Sequence, residues 1–351
     1  MYQKFSGVKI SAIASCVPKN VIENDFFGEI LSGKELRLFE KTVGIKERRW
    51  VSKDVTASDL GYKAAVDLLE NYDLDKSEIR CLIFLSQTPD YKIPFTSNIL
   101  QDRLKLNKEI LCLDINAGCA GFIQGLSTSF ALAKSLKKGG KVLFIIAETL
   151  SKILSKKDRS TTMLFGDGAA AVLIENNEDS KVESFFNFFS DGQNADAIEI
   201  PDGGYRNILT QNSFEVTVDD KGNEKNKLNL KMDGPRVFDF TLREIAPSIE
   251  LLLEQSRIKK SDIDFFLLHQ SNRFIIRQIA NKLEVGSEKM LININEFGNT
   301  SGVSIPLLIT SNSDKLKDHS NVLMSGYGSG LNWGNCVLNL SETKIFSLKI
   351  Y

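Results

Sequence analysis

The 351-residue chain has few cysteines, only two histidines and no long apolar run, and each shortage removes a class of protein. Its five cysteines are widely spaced without a CxxC pair, which argues against a disulfide framework and against a zinc site. No apolar run approaches the ~18–20 residues of a membrane helix, and the first residues lack the apolar core of a signal peptide. We therefore expect a cytoplasmic protein with reduced thiols that does not enter a membrane.

Basic and acidic residues are nearly equal in number. Lys and Arg number 44 against 45 Asp and Glu, which leaves a net charge of −1. A dedicated nucleic-acid binder normally carries a strong basic excess, so we expect no nucleic-acid partner. Hydrophobic residues make up 42% and charged residues 25%, which is typical of a soluble globular protein and excludes bulk disorder.

Short apolar runs alternate with amphipathic segments along the chain. In the first part we predict strands at 81–87, 110–115, 141–148 and 169–175, with helices at 56–72, 97–106 and 119–136. The same order returns in the second part, with helices at 237–255, 273–283 and 304–316 and strands at 265–269, 291–294, 321–327 and 332–340. The pattern predicts an α/β fold made by internal duplication of two mixed-sheet halves, each of roughly 150 residues.

The predicted domain boundaries follow from a change in composition. Residues 186–228 are polar and rich in Gly, Asn and Asp, so we interpret them as a connector and pocket segment, with a hairpin around 214–218. This places an N-terminal half at 1–185 and a C-terminal half at 229–351.

Cys119 is the first candidate for chemistry. It lies in the segment DINAGCAGF (114–122), directly after a predicted strand and at the start of a predicted helix. Small neighbours allow a substrate to approach the sulfur, and the positive end of a helix favours a thiolate. The four other cysteines, Cys16, Cys81, Cys112 and Cys336, lie in apolar strands and are interpreted as structural thiols.

His269 and Asn299 are the other two candidates. His269 ends a buried strand, at the edge of a parallel sheet where α/β active sites form. His319 lies in a polar segment and is interpreted as a surface residue. Asn299 lies in a turn that the duplication equates with the turn of Cys119. A Cys/His/Asn set fits either a cysteine protease or carbon–carbon bond formation on thioesters, in which His and Asn donate hydrogen bonds to an enolate oxygen.

These residues stand in motifs that resemble a family, the thiolase-fold condensing enzymes, and within it β-ketoacyl-(acyl-carrier-protein) synthase III. The resemblance runs nearly end to end through VGIKERR (43–49), SQTPDYKIP (86–94), DINAGCAGF (114–122), DRSTTMLFGDGAAA (158–171), KMDGPRVFDF (231–240), HQSN (269–272), FGNTSGVSIP (297–306) and GYGSGLNWG (326–334). It implies a five-layered αβαβα fold, a homodimer, and no metal or redox cofactor. The substrates that it implies are thioesters of coenzyme A or of acyl-carrier protein.

The resemblance also implies roles for individual residues. Cys119 would accept the acyl group, with His269 and Asn299 as the pair that supports decarboxylation. The backbone amides of Cys119 and Ser329 would form the oxyanion hole, although the family usually has Gly at the position of Ser329. Asn272 would lie in a second layer around the site. Phe165 and Asp167, in the FGDG turn, are interpreted as structural.

Further positions concern substrate binding. Arg159 resembles the arginine that clamps the coenzyme A adenine, but the aromatic partner of that clamp falls on Leu38, so the resemblance implies weak coenzyme A affinity unless Trp50 or Lys41 replaces the ring. Arg273 and Arg277 share one predicted helix face, which we interpret as a docking face for an acidic carrier protein. Ile93 stands where the family often has an aromatic residue that closes the acyl pocket across the dimer, which implies room for a primer longer than acetyl.

The implied reaction is a decarboxylative condensation of a Cys-bound acyl primer with a malonyl thioester. Two alternatives stay open at this point. One is an acyltransferase of the same fold that does not decarboxylate and that acts in specialised or cell-surface metabolism. The other is a non-catalytic partner subunit, which the presence of Cys119 disfavours.

Overall fold

Two large β-sheets with helices between and outside them form the body of the protein in the computed structural model, which describes residues 1–316 and 321–351. The strands are β1 (Tyr2–Ser6), β2 (Val8–Val17), β3 (Val21–Glu23), β4 (Glu47–Arg49), β5 (Ile79–Leu85), β6 (Leu111–Ile115), β7 (Lys141–Glu148), β8 (Gly168–Asn176), β9 (Glu183–Ser190), β10 (Ile198–Glu199), β11 (Thr217–Val218), β12 (Glu224–Lys225), β13 (Lys231–Met232), β14 (Phe265–Leu268), β15 (Asn321–Gly328), β16 (Asn332–Asn339), β17 (Lys344–Ile345) and β18 (Lys349–Ile350). The helices are α1 (Gly33–Val43), α2 (Ala57–Asn71), α3 (Thr96–Arg103), α4 (Gly121–Ser135), α5 (Gly234–Ser256), α6 (Arg273–Lys282), α7 (Ile294–Phe297), α8 (Ser304–Ser311) and α9 (Ser313–Leu316).

The two sheets share one pairing pattern. In the first sheet, of order β17-β2-β8-β7-β5-β6 with β18 also beside β2, β7 is parallel to β5 and antiparallel to β8, and β8 is antiparallel to β2. In the second sheet, of order β1-β9-β16-β15-β14, β15 is parallel to β14 and antiparallel to β16, and β16 is antiparallel to β9. The repeated pattern confirms the predicted duplication of two mixed-sheet halves.

Helices separate and cover the sheets in five layers. The largest core cluster joins Phe122 of α4 and Leu308 of α8 to inner-face residues of both sheets, including Phe144 and Met324. A second cluster packs α2 and α3 on the outer face of the first sheet, and a third packs α5 and α6 on the outer face of the second. Strands covered on both faces bury every side chain, as β7 does. The five-layered αβαβα fold is therefore confirmed.

Local signals in the sequence place several element ends correctly. Thr56 and Asp59, which have the sequence spacing of a capping box, form the box that opens α2. Ser32 and Glu35 form a second box at the start of α1, which ends at Gly44 with φ of 91°. A hairpin is present in the connector, where β11 pairs with β12. Among the described residues no helix is both long and apolar enough to span a membrane.

The prediction of a strand at 291–294 was wrong. This part of the chain forms only a single bridge, between Phe266 and Met290, and then turns into α7. The physical reason is that the Gln270 side chain and the turn of α7 take its main-chain groups. The side-chain oxygen of Gln270 accepts the amide of Asn293 at 3.1 Å, where a neighbouring strand would otherwise bond. A second difference is that the predicted helix 304–316 divides at Asn312 into α8 and α9.

Strand β6 also differs from its prediction, because it lies at an edge of the first sheet. Its side chains are half-buried, and Leu111 is 52% exposed, where a fully buried strand was expected.

The predicted domain boundaries do not follow the sheets. Strand β9, which begins before residue 186, and strand β1 both belong to the second sheet, and β17 and β18 return to the first. Each sheet therefore includes strands from the other predicted half. Strand β9 of the N-terminal part bonds to β16 in the second sheet, and the C-terminal strands β17 and β18 bond to β2 in the first. The surface interpretation of His319 falls outside the described residues.

Candidate active site

Cys119 lies between the end of β6 and the start of α4, and a glycine strand packs against it. A Cβ atom at Gly328 would lie 2.6 Å from Cβ of Cys119 and 3.0 Å from its Sγ. A Cβ at Gly326 would lie 2.9 Å from the main-chain oxygen of Cys119. The glycines of β15 therefore allow the backbone of the second half to reach the thiol carried by the first half.

His269 directly follows β14 and is 1% exposed. Its main-chain amide donates to the oxygen of Ser325 at 2.8 Å, which holds it at the end of the sheet. Its Nδ1 lies 2.7 Å from Oγ of Ser304, the first residue of α8. The hydroxyl of Tyr327 donates to the main-chain oxygen of His269 at 3.2 Å. Two hydrogen bonds thus hold the main chain of His269, and one holds its ring.

Asn299 follows α7 in a turn that is bonded to the first half. Its amide donates to the oxygen of Leu164 at 2.8 Å, and its own oxygen accepts the amide of Gly166 at 3.0 Å. The side-chain Oδ1 accepts the amide of Ser301 at 2.8 Å. Because Oδ1 is occupied, Nδ2 is the group that Asn299 has to offer as a donor.

The structure brings five of the predicted site residues together in a cavity of about 360 Å³. Its walls include Cys119, His269, Asn299, Asn272 and Ser329, which come from both halves of the chain. Apolar side chains line the same cavity, namely Leu150, Ile153, Leu164, Phe165, Ile198, Ile200, Leu230, Met232, Val237, Phe238 and Ile275. Such a cavity can hold an aliphatic chain with its polar end at the cysteine.

Burial controls the protonation of Cys119 and His269, two of the titratable side chains that line the cavity. It raises the pKa of the Cys119 thiol to about 11, against a smaller lowering effect of the contact with Ser301. The expectation that the helix end would stabilise a thiolate was therefore wrong, because desolvation of the charged form outweighs it. Burial also lowers the pKa of His269 to about 3. Both groups are neutral near pH 7.

Ser301 and Ser304 are site residues that the sequence reasoning missed. The Oγ of Ser301 lies 3.5 Å from Sγ of Cys119, and the residue adopts a left-handed φ of 52° that favours glycine. Ser304 contacts His269 as described above. Both serines lie in the segment FGNTSGVSIP, whose resemblance to the family motif could have indicated them, but the sequence analysis assigned a role only to the asparagine of that segment.

Gln87 and Glu148 were also missed. The Nε2 of Gln87 lies 3.3 Å from Oγ of Ser329, so the two side chains meet beside Cys119. The buried carboxyl of Glu148 accepts the amide of Gln87 at 3.0 Å and the hydroxyl of Thr88 at 2.9 Å. Burial raises the pKa of Glu148 to about 7. Glu148 therefore holds the turn that carries Gln87 rather than lining the cavity itself.

Two predicted residues have structural contacts as well as a place near the cavity. Asn272 lines the cavity and caps α6, since its Oδ1 accepts the amide of Phe274 at 2.7 Å. Asp167 is buried and accepts the amides of Val51 at 2.8 Å and Ser151 at 2.9 Å, as expected of a structural residue. Phe165 lines the cavity, so its side chain is more than a structural element.

Arg159 does not line the cavity and instead contacts the turn between β11 and β12. Its Nη2 donates to the main-chain oxygen of Lys221 at 3.0 Å, and its Nη1 lies 3.6 Å from the carboxylate of Glu35. Leu38, one turn further along α1, is 59% exposed. Trp50 is buried and donates through Nε1 to Phe165 at 2.9 Å, so it offers no free ring face near Arg159.

Arg273 and Arg277 have different surroundings, although both lie on α6. Arg273 is half-buried, and its Nη2 donates to the main-chain oxygens of Glu40 at 2.9 Å and Lys41 at 3.0 Å. Arg277 is exposed. Both arginines lie on α6 as predicted, but only Arg277 is exposed, because the guanidinium of Arg273 bonds the carbonyl end of α1.

Ile93 does not line the cavity of its own chain. It is 80% exposed, and its neighbours Tyr91 and Phe95 are 61% and 49% exposed. Within the described residues, no group of three or more His, Cys, Asp or Glu side chains is arranged to hold a metal ion.

Comparison with known proteins extends these observations. Residues 113–192 match the family model of 3-oxoacyl-[acyl-carrier-protein] synthase III, and residues 253–340 match the model of its C-terminal part. A beta-ketoacyl-[acyl-carrier-protein] synthase III of Streptococcus sanguinis is 36% identical over 341 residues, which cover 95% of this chain and 99% of the relative.

Solved structures are equally similar. A 3-oxoacyl-(acyl-carrier protein) synthase of Burkholderia xenovorans superposes with a TM-score of 0.93 at 33% identity, covering 100% of this chain and 99% of that one. A synthase III of Thermus thermophilus superposes with a TM-score of 0.80 at 31% identity, covering 94% and 98%. With nearly full-length identity above 30% and the Cys, His and Asn motifs meeting in one cavity, this chain belongs to the β-ketoacyl-[acyl-carrier-protein] synthase III family.

Proposed function

We propose that this chain catalyses the decarboxylative condensation of an acyl primer with a malonyl thioester, malonyl-acyl-carrier protein, to give a β-ketoacyl thioester. The observation that carries the proposal is the meeting of Cys119, His269 and Asn299 in one apolar cavity. The reaction needs a nucleophile and hydrogen-bond donors, which these side chains and the backbone supply. It therefore uses no metal or redox cofactor.

In the first half-reaction, the thiol of Cys119 attacks the carbonyl carbon of the primer thioester. A carbon–sulfur bond forms to Sγ, and the carrier leaves as a thiol that takes up the proton of Cys119. The backbone amides of Cys119 and Ser329 donate to the oxyanion that develops on the carbonyl oxygen. Because burial raises the pKa of the Cys119 thiol to about 11, the group is mostly a neutral thiol near pH 7 and must lose its proton by the time the new bond has formed.

In the second half-reaction, the malonyl thioester loses CO₂, and the electron pair of the broken carbon–carbon bond forms an enolate. His269 and Asn299 donate hydrogen bonds to the enolate oxygen. Because the pKa of His269 is about 3, the ring donates as a neutral imidazole. The enolate carbon then attacks the acyl carbonyl on Cys119. The bond to Sγ breaks, and the thiolate takes up a proton from solvent.

The test measures CO₂ release and product formation from a labelled malonyl thioester and an acyl primer. We expect one CO₂ per β-ketoacyl product with the wild-type protein. Cys119→Ala should form no product while keeping its fold, because the change removes only a sulfur atom. Product formation by Cys119→Ala would overturn the proposal. Acyl transfer without CO₂ release would instead establish the acyltransferase alternative.

The primer carrier is a finer part of the proposal. We propose that the primer arrives on acyl-carrier protein and that coenzyme A thioesters are used poorly. Two observations support this choice. The guanidinium of Arg159 is engaged by Lys221 and Glu35, and neither Leu38 nor the buried Trp50 offers a ring face beside it. Neither of these two residues would therefore stack on an adenine beside Arg159.

We also propose a cytoplasmic homodimer with no nucleic-acid or membrane partner. Two observations support the dimer: Tyr91, Ile93 and Phe95 are exposed in the loop before α3, and Leu111 is exposed on β6, which lies at an edge of its sheet. An unpaired edge strand next to exposed apolar side chains is suited to pairing with a second copy. Light scattering of the purified protein tests this, and a monomer at all concentrations would contradict it.

A further inference from the structure

The hydroxyl of Ser304 is the nearest polar neighbour of the His269 ring. Its Oγ lies 2.7 Å from Nδ1, and both side chains are 1% exposed. Groups that are buried to this degree normally have their hydrogen-bonding capacity satisfied within the protein. The direction of this hydrogen bond therefore follows from the other partners of the two groups.

A second donor at the same oxygen decides the direction. The amide of Gln270 donates to Oγ of Ser304 at 3.3 Å. A serine hydroxyl has one hydrogen to donate and two lone pairs. If Nδ1–H of His269 also donated to Oγ, the serine hydrogen would find no acceptor among the described residues. If the serine donates to Nδ1, the amide, the hydroxyl and Nδ1 are all satisfied.

We infer that Ser304 is a positioning residue that fixes the neutral His269 ring in the tautomer with its proton on Nε2. Its use in catalysis rests on the proposed function, in which His269 donates to the enolate oxygen. With the proton on Nε2, the ring presents a donor to that oxygen. With the proton on Nδ1, the ring would present a lone pair to a developing negative charge, so decarboxylation would lose one donor.

The direct test is nuclear magnetic resonance of protein labelled with ¹⁵N-histidine, with signals assigned by means of His269→Ala. The sequence contains only one other histidine, His319. In the wild type, we expect at His269 an unprotonated Nδ1 and a protonated Nε2. In Ser304→Ala, we expect a mixture of both tautomers. A protonated Nδ1 in the wild type, or an unchanged single tautomer in Ser304→Ala, would overturn the inference.

Kinetics separate this positioning role from general damage to the fold. Ser304→Ala should lower the rate of malonyl decarboxylation by about 10-fold to 100-fold, which is no more than the rate loss expected when one hydrogen-bond donor is removed. Acylation of Cys119 should be unchanged. Ser304→Thr, which keeps the hydroxyl, should restore most of the rate. Unchanged decarboxylation in Ser304→Ala would contradict the inference.

A matched control is available on the same helix. Thr310→Val removes a buried hydroxyl of α8 that bonds Ser15 and Leu307 and does not contact His269. We expect it to change neither the tautomer nor the decarboxylation rate, and a loss equal to that of Ser304→Ala would count against a specific role of Ser304. If the wild type released no CO₂, the proposed function would fail. The tautomer measurement would still test whether Ser304 fixes the proton of His269 on Nε2.

Discussion

The Sγ of Cys119 lies 3.5 Å from the Oγ of Ser301, although 182 residues separate them in the chain. The loop that carries Ser301 belongs to the second half of the fold, and it reaches the cysteine at the start of α4 in the first half. Because Ser301 also donates its amide to Asn299 at 2.8 Å, it links the nucleophile to the proposed enolate site.

The first prediction concerns the pH dependence of Cys119. Its pKa is raised to about 11, so the thiolate fraction should grow about tenfold per pH unit up to that value. Ser301→Ala removes the contact that lowers this pKa, so the thiolate fraction at pH 8 should fall. Alkylation by iodoacetamide, followed by mass spectrometry of the Cys119 peptide, measures both effects. A rate that reaches its plateau near pH 7 would contradict the raised pKa.

The second prediction separates the two half-reactions. His269→Ala or Asn299→Ala should leave acylation of Cys119 largely intact, because neither side chain is assigned to the oxyanion hole. Each change should reduce condensation by on the order of 10²-fold or more, the scale of losing one oxyanion donor. Mass spectrometry measures acylation, and product formation measures condensation. Equal losses in both steps would instead indicate that His269 acts as a base on the thiol.

The third prediction concerns docking of an acidic carrier protein at α6. Arg277→Glu should reduce kcat/KM for acyl-carrier-protein substrates and weaken its dependence on salt, because exposed charges steer association over about 10 Å at 0.1 M salt. Lys138→Glu, at the far end of α4 from Cys119, is a matched charge reversal that should have little effect. Unchanged carrier-protein kinetics in Arg277→Glu would remove the idea.

Arg273 should respond differently from Arg277. Since its guanidinium bonds the main chain of Glu40 and Lys41, Arg273→Glu should lower thermal stability as well as activity. The comparison of melting temperatures distinguishes the two arginines.

The fourth prediction concerns primer length. A partner copy that inserts Ile93 into the acyl end of the cavity would leave more room than an aromatic side chain, so primers longer than acetyl or branched should be accepted. Ile93→Ala should shift the preference further toward long chains. Val216→Ala serves as the control, because Val216 is also exposed, at 60% against 80% for Ile93, and lies on the connector outside the cavity lining. A strict acetyl preference in both the wild type and Ile93→Ala would refute this prediction.

The fifth prediction compares carriers for one acyl chain. We expect kcat/KM to be higher for acyl-acyl-carrier protein than for acyl-coenzyme A. Leu38→Trp should improve coenzyme A use, since base stacking on an aromatic ring contributes about 1–3 kcal/mol. Leu38→Met, which adds no ring, is the control. Equal values for the two carriers in the wild type, or a preference for coenzyme A, would show that the clamp is not needed.

The sequence by itself determined the layers of the fold and the identity of the main site residues. The apolar run 141–148 predicted a strand that is buried on both faces, and the spacing of Thr56 and Asp59 predicted the start of a helix. Both predictions were possible because the signals lie within a few neighbouring residues. Cys119, His269 and Asn299 were found because each stands at the end of a predicted element within a recognisable motif. The tertiary structure then brought all three to one cavity.

Only the tertiary structure decided the contacts and protonation states of the site. The raised pKa of Cys119 and the lowered pKa of His269 arise from desolvation by segments far away in the chain, which no local pattern encodes. The contacts of Arg273 are also set by tertiary structure, because its guanidinium bonds the main chain at the end of α1. In the same way, residues 291–294 do not form a strand, because the Gln270 side chain accepts the amide of Asn293 that a neighbouring strand would need. Hydrophobic periodicity reports how deeply a residue is buried, but which partners surround it depends on the packing of the two halves.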